Sequence, residues 1–146
     1  MLTLRTMTPN DCQLFAGSSY AAMSPDAISQ MLAESAAKDH GGKYFELFAA
    51  MEGDRCVGFI SLYALNDREV SCGPEIKAPS RNQGFATQAV TQAMAYAKSL
   101  GFTKAVAQVR VDNAPSIALH QKLGFSAEKE YLNAKGNPVI WFTKIL

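Results

Sequence analysis

Cysteine is scarce in this chain, and the three present, Cys12, Cys56 and Cys72, are an odd number at wide, irregular spacing. That argues against a disulfide framework and a thiolate metal site and leaves reduced thiols, expected to be buried. No run approaches the roughly 20 apolar residues of a membrane span. The opening residues, MLTLRTMTPND, lack the basic start, apolar run and small-residue cleavage site of a secretory leader. Neither sign of charge is in excess, since 14 Lys and Arg against 13 Asp and Glu leave a net charge of +1. This argues against a nucleic-acid footprint of clustered Lys and Arg, so any anion site must be local. The expectation is a cytoplasmic protein with neither nucleic acid nor membrane as partner.

What is present has the balance of a globular protein, 48% hydrophobic and 18% charged. The length of 146 residues suits one domain, 1–146, and not two. Leu2 and Leu4 alternate with polar neighbours as a short strand. Thr8-Pro9-Asn10-Asp11 then starts a helix expected to reach about Ala16. Ser24-Pro25-Asp26 starts a second helix with Ile28, Met31, Leu32 and Ser35 at helical spacing, ended by Gly41-Gly42. YFELFAAM, RCVGFISLY and EVSCGPEIKA read as an antiparallel meander, with Gly73-Pro74 expected to disturb the ladder or mark a bulge.

From Gly84 to Leu100, Ala86, Ala89, Val90, Ala93, Met94, Ala97 and Leu100 make one apolar stripe of mostly small residues, closed by Gly101. TKAVAQVRV follows as a strand reached through a helix, hence parallel to its predecessor. Asn113-Ala114-Pro115-Ser116 opens a helix to about Leu123. FSAEKEYL and PVIWFTKI form a closing hairpin.

Chemistry concentrates in Arg81-Asn82-Gln83-Gly84-Phe85-Ala86-Thr87, between a strand and the long helix. A strand ending just before a helix start presents unpaired N–H groups and the positive end of the helix dipole, which suit a diphosphate. Gly84 and Ala86 allow close approach, Arg81 adds a charge-assisted contact and Thr87 a hydroxyl. No Gly-Lys-Ser/Thr and no G-x-G-x-x-G is present, so other phosphate loops do not fit.

This segment resembles the signature R/Q-x-x-G-x-G/A of the GNAT acyltransferase superfamily, matched by Arg81-Asn82-Gln83-Gly84-Phe85-Ala86. Asn113 to Phe125, with its Lys122-Leu123-Gly124-Phe125 ending, looks like the family's second signature in the right order and spacing. The resemblance implies an α/β (α+β) fold: a mixed, mostly antiparallel sheet of six to seven strands, a splayed parallel central pair and about four helices. It also implies acetyl-CoA as co-substrate with no metal, its pyrophosphate on residues 81–87. The pantetheine arm would lie on the strand edge Ile76, Lys77 and Ala78, faced by Asn113 and Ser116. Asn113 is equally a helix N-cap, and the two roles are compatible. Pro79 departs from the commoner Pro-x-x-Arg version by one residue.

Acyl transfer to an amine needs a base, an oxyanion site and, usefully, a proton for the thiolate. Glu69 and Glu75 share a strand face if no bulge intervenes, with Glu75 nearer the expected opening. Either remains a candidate base, directly or through water. His120 stands where the family pattern most often has a tyrosine acid, and it is a candidate acid or a packing residue. His40, beside Gly41-Gly42, is assigned no function. Phe45, Phe48, Tyr63, Tyr131 and Trp141 are core aromatics or acceptor-pocket walls.

The resulting expectation is an N-acetyltransferase acting by direct attack of a primary amine, on a small molecule or a peptide. An acyl-CoA-binding sensor of the same fold is the alternative. The outer strand of the last hairpin is open to pairing with a second copy as a homodimer.

Overall fold

The computed structural model describes residues 1–146, built on one seven-stranded sheet. The strands are β1 (Leu2–Thr6), β2 (Phe45–Glu52), β3 (Arg55–Ala64), β4 (Glu69–Ile76), β5 (Lys104–Arg110), β6 (Ser126–Leu132) and β7 (Pro138–Ile145). They lie in the order β1-β2-β3-β4-β5-β7-β6, antiparallel except for the β4–β5 pair. Three α-helices accompany them: α1 (Pro25–Ala37), α2 (Phe85–Ser99) and α3 (Ala114–Lys122). The helix expected after Thr8 is only a 3-10 turn, Cys12–Phe15, followed by a second at Ser19–Ala22. Asp11 there salt-bridges Arg5 and accepts from the Thr8 N–H instead of capping a longer helix. No helix is long and apolar enough to cross a membrane.

Strand alternation divides the apolar residues between two faces. On one, Ile60, Leu62, Val70, Cys72, Ala105, Ala107 and Phe142 pack with Ala89, Val90, Ala93 and Ala97 of α2. The alanines bring the helix close to the sheet. Phe85 joins this stripe at its start, whereas Leu100, expected within it, is exposed beyond the last turn. On the other face, α1 covers a smaller cluster of Leu32, Leu47, Ala49, Phe59, Phe15 and Met7. Ser24 caps α1 by accepting from the Ala27 N–H, and buried Ser35 ties the helix to β2 by accepting from the Leu47 N–H at 2.7 Å. Of the three free cysteines only Cys72 is buried; Cys12 is exposed and Cys56 half-buried.

Gly73-Pro74 does not break the ladder. The β3–β4 register runs without a shift from Gly58–Ile76 to Ala64–Val70. The terminal bonds, Lys77 N–H to Val57 O and Leu65 N–H to Glu69 O, assign odd-numbered β4 residues to β3. Pro74, being even, points its missing donor away from β3, where no ladder bond is lost. The irregularity lies in β2–β3 instead, where Ala50 pairs with Gly58 but Met51 with Cys56, leaving Val57 as the extra residue.

At Gly58 the two backbones crowd. A Cβ there would stand 2.2 Å from the Glu75 carbonyl oxygen and 2.9 Å from the Ile76 Cα, both main-chain atoms that cannot swing aside. Gly58→Ala must push the end of β4 outward, at a cost of about 2–3 kcal/mol. A reduced urea midpoint with unchanged m-value is the expected result in equilibrium unfolding.

Candidate functional site

β4 and β5 pair at only three positions, Glu69–Lys104, Val70–Ala105 and Ser71–Val106. β4 then continues for five residues with no partner on that side. β5 meanwhile stays bonded to β7 along its whole length. The strands therefore part, and a cavity of about 570 Å³ opens beyond the split. One wall is the end of β4 (Pro74, Glu75, Ile76), and the opposite wall is the start of α3 (Asn113, Pro115, Ser116, Leu119). The head of the cavity is formed by Ser80, Arg81, Asn82 and Gly84 to Thr87, leading into α2.

This head has the geometry of an anion cradle. Gly84, the N-cap of α2, has φ of +81° and Asn82 has φ of +63°, both left-handed, so the loop curls back on itself. No side chain caps α2, which leaves the N–H groups of its first turn without an intrahelical acceptor. No atom lies within 4 Å of where a Gly84 Cβ would project. The glycine is therefore required by its backbone conformation and not by crowding within the chain. Arg81 donates from Nε to the Ile76 carbonyl at 3.0 Å, capping the last carbonyl of the free β4 edge.

The expected donor-site residues are thus largely brought together. Ile76, Arg81, Asn82, Gly84, Phe85, Ala86, Thr87, Asn113 and Ser116 all line the cavity, while Lys77, Ala78 and Gln83 do not. Lys77 projects to the opposite side, donating to the Leu14 carbonyl at 2.6 Å and lying 5.6 Å from the Phe59 ring centre. Gln83 turns its amide to the Pro79 carbonyl. Asn113 caps α3, accepting from the Ser116 N–H at 3.2 Å, while also facing the cavity. Pro74, Ser80, Pro115 and Leu119 are lining residues that motif reading missed; Pro115 alone carried a signal, as the first-turn proline of α3.

The two glutamates fall at opposite ends of β4. They share a face, as the unbroken register requires, but Glu69 pairs with Lys104 at 3.8 Å and accepts from the Asn66 amide, away from the cavity. Glu75 stands at the mouth. Its Oε2 accepts from the Ser19 N–H at 2.8 Å, and its Oε1 accepts from the Ser19 hydroxyl. Tyr20, the next residue, packs between Phe15 and Phe59 at 4.9 and 5.4 Å. Burial, helped by the charge of Glu75, pushes its hydroxyl pKa up to about 12, so it stays protonated. Neither Ser19 nor Tyr20 carries a motif signal, because the sheet and not the local sequence brings them to Glu75.

His120 lies off the cavity. It is 1% exposed, stacked on Phe142 at 5.9 Å and edge-on to Phe125 at 5.1 Å. Its Nδ1 sits 2.7 Å from the Ser116 carbonyl, which requires a proton there, and Nε2 is buried without a partner. Desolvation lowers the pKa below the usual histidine value, outweighing the carbonyl contact. Of the aromatics, Phe48 packs under α2 against Tyr96. Tyr131 and Trp141 lie beneath Lys129 on the outer sheet. Phe45 and Tyr63 line a second cavity.

A family model described as an acetyltransferase (GNAT) domain matches residues 1–126. No curated protein matches the sequence. Among solved structures, the spermidine N-acetyltransferase from Vibrio cholerae in complex with CoA and spermine superposes with a TM-score of 0.82 at 18% identity. That match covers 99% of this chain and 95% of that one. An acetyltransferase from Salmonella typhimurium that modifies the N-terminal serine of ribosomal protein L7/L12 also gives 0.82, at 19% identity, covering 99% and 95%. A dodecameric form of the Vibrio cholerae enzyme gives 0.79 at 20% identity, covering 99% and 93%.

The buried imidazole makes stability depend on pH. Its folded pKa is below the unfolded value of ~6.5, so the unfolded chain binds more protons as pH falls through that region. Stability is fully retained above about pH 7.5 and declines as pH falls through ~6.5 toward the folded pKa. His120→Phe should flatten this decline, which thermal melts of both proteins between pH 7.5 and 5.5 will measure as a shallower fall in Tm.

Proposed function

The chain belongs to the GNAT acetyltransferase family, and we propose that it transfers an acetyl group from acetyl-CoA to a primary amine by direct attack, with Glu75 as base. One observation carries this reading: the cavity at the β4–β5 split has an anion cradle at its head and a carboxylate at its mouth. In the proposed complex the pyrophosphate sits on the N–H groups of residues 84–87 and on Arg81. The pantetheine amides bond the free β4 edge as an added strand would. On that edge Pro74 offers only an acceptor, while Ile76 keeps its N–H.

The amine nitrogen attacks the thioester carbonyl, and Glu75 takes its proton, directly or through one water. Collapse of the tetrahedral adduct breaks the C–S bond and expels the CoA thiolate, yielding the amide. A thiolate is a tolerable leaving group at neutral pH and can take its proton from water. His120, neutral and off the cavity, is assigned packing and not this proton transfer. Glu69 is assigned to the ion pair with Lys104. No step calls for a metal.

The proposal extends to residues 1–146 acting as one catalytic domain in the cytoplasm. It includes a homodimer through the β6 edge, which ends the sheet and is exposed along almost its whole length. Spermidine and a ribosomal protein N-terminus are substrates named for the similar structures. Here they define the amine classes to screen.

Thiol release from acetyl-CoA over small amines and peptide N-termini tests the reading. Glu75→Gln should lower kcat by about 10²-fold with the acetyl-CoA KM unchanged. Arg81→Ala should raise that KM roughly tenfold, as the loss of one charge-assisted contact predicts. Stabilisation by acetyl-CoA with no amine acetylated would establish the sensor instead.

A further inference from the structure

The second cavity, of about 460 Å³, lies on the sheet face that carries Glu75. Phe59 pairs with Glu75, and Tyr63 stands four residues farther along β3, paired with Phe45 of β2. Alternation puts all four on one face, with Tyr63 roughly 13 Å from the level of Glu75. The 3-10 turn Ser19–Ala22 gives a second measure. Ser19 holds Glu75 at one end, and Met23, just past the other end, lines the cavity, a span of roughly 8 Å. Between the two sites β3 and β4 present Ser61, Ser71 and Gly73, the last exposed, while Leu47, across from Ser61 on β2, is buried under α1.

The walls are chemically distinctive. Met23 and Met31 face Phe45 and Tyr63, an adaptable apolar lining. The only carboxylate on the wall is Glu34, already engaged by His40, whose Nδ1 lies 2.5 Å from Oε2. The His40 ring in turn stands edge-on to Phe45 and Tyr63, at 6.2 and 5.7 Å. With its acid so occupied, the cavity suits an uncharged apolar group better than a second ammonium.

We propose that this cavity is the acceptor-tail subsite, seating the aryl or alkyl end of a monoamine whose amino group reaches Glu75. The inference rests on the transfer reading above, and it adds the substrate class: primary amines with an apolar tail spanning roughly 8–13 Å, in preference to polyamines.

The test compares propylamine, 6-phenylhexylamine and spermidine in acetyl-CoA turnover by the full chain. The KM for 6-phenylhexylamine should be at least about tenfold below that for propylamine, and below that for spermidine. Ala27→Trp fills the cavity from the exposed side of α1. It should abolish that advantage while leaving propylamine turnover and the acetyl-CoA KM within about twofold of wild type. Met23→Glu, which adds an unpaired carboxylate to the lining, should shift preference toward spermidine, and it serves should the tryptophan variant fail to fold.

Equal KM values for the short and long monoamines, preference for spermidine in the wild type, or an aryl preference surviving both variants would each overturn the proposal. If no amine at all is acetylated, it is the transfer reading that fails. The cavity is then judged by calorimetry: binding of 6-phenylhexylamine to wild type but not to Ala27→Trp upholds the subsite, and binding to neither, or equally to both, removes it.

Discussion

Everything distinctive in this structure follows from two parallel strands that stop pairing after three residues. Backbone groups left unpaired inside a protein cost free energy comparable to lost hydrogen bonds, so such a split must be supported on both sides. On the β5 side, seven consecutive pairs with β7 hold the strand straight past the point of separation. On the β4 side, the continuous ladder with β3 does the same, and the exposed edge is economical in unpaired groups. Pro74 has no N–H to leave unpaired, and Arg81 already occupies the Ile76 carbonyl. What remains open is a strand edge of the kind that an extended amide-bearing chain can complete.

The split also sorts function by face. Small side chains on α2 let its axis lie close under the sheet, which aims its uncapped N-terminus at the head of the gap. The opposite face is thinly covered, because α1 sits over β2 and β3 and leaves the β4 end to the 3-10 turns. Those turns are tied down at two points, Ser19 on Glu75 and the Leu14 carbonyl on Lys77. At the far end of β2, Glu46, 1% exposed, accepts from the hydroxyls of Thr6, Tyr44 and Tyr96. That buried carboxylate joins β1, β2 and α2, so the scaffold beneath the gap is fastened away from it.

The head of the cavity was legible in the sequence because it is local. Residues 81–87 form one loop and one helix start, and Asn113 to Ser116 another. Their backbone preferences and polar groups can be read without knowing the fold. Gly73-Pro74 shows where such reading fails: the pair has the composition of a bulge, and only the pairing parity reveals that the proline faces an edge where nothing is lost. Lys77 fails for the same reason, since the strand's alternation carries it away from its neighbour Ile76. The helix expected near Ala16 misled because Asp11, which reads as cap chemistry, is engaged by Arg5 across the chain.

The mouth of the first cavity and the second cavity were illegible because no stretch of sequence contains them. Glu75 is completed by Ser19, 56 residues earlier, and the second cavity joins Met23 and α1 to Phe45 and Tyr63. An arrangement drawn from five separate elements leaves only scattered, ordinary residues in the sequence, a serine after a serine or an aromatic in a strand. His120 makes the converse point. By position it invites a catalytic role, yet burial against two phenylalanines and a bond to its own helix hold it neutral. A chemically apt residue type is informative only when its surroundings let it exchange a proton, and here those surroundings are an apolar core.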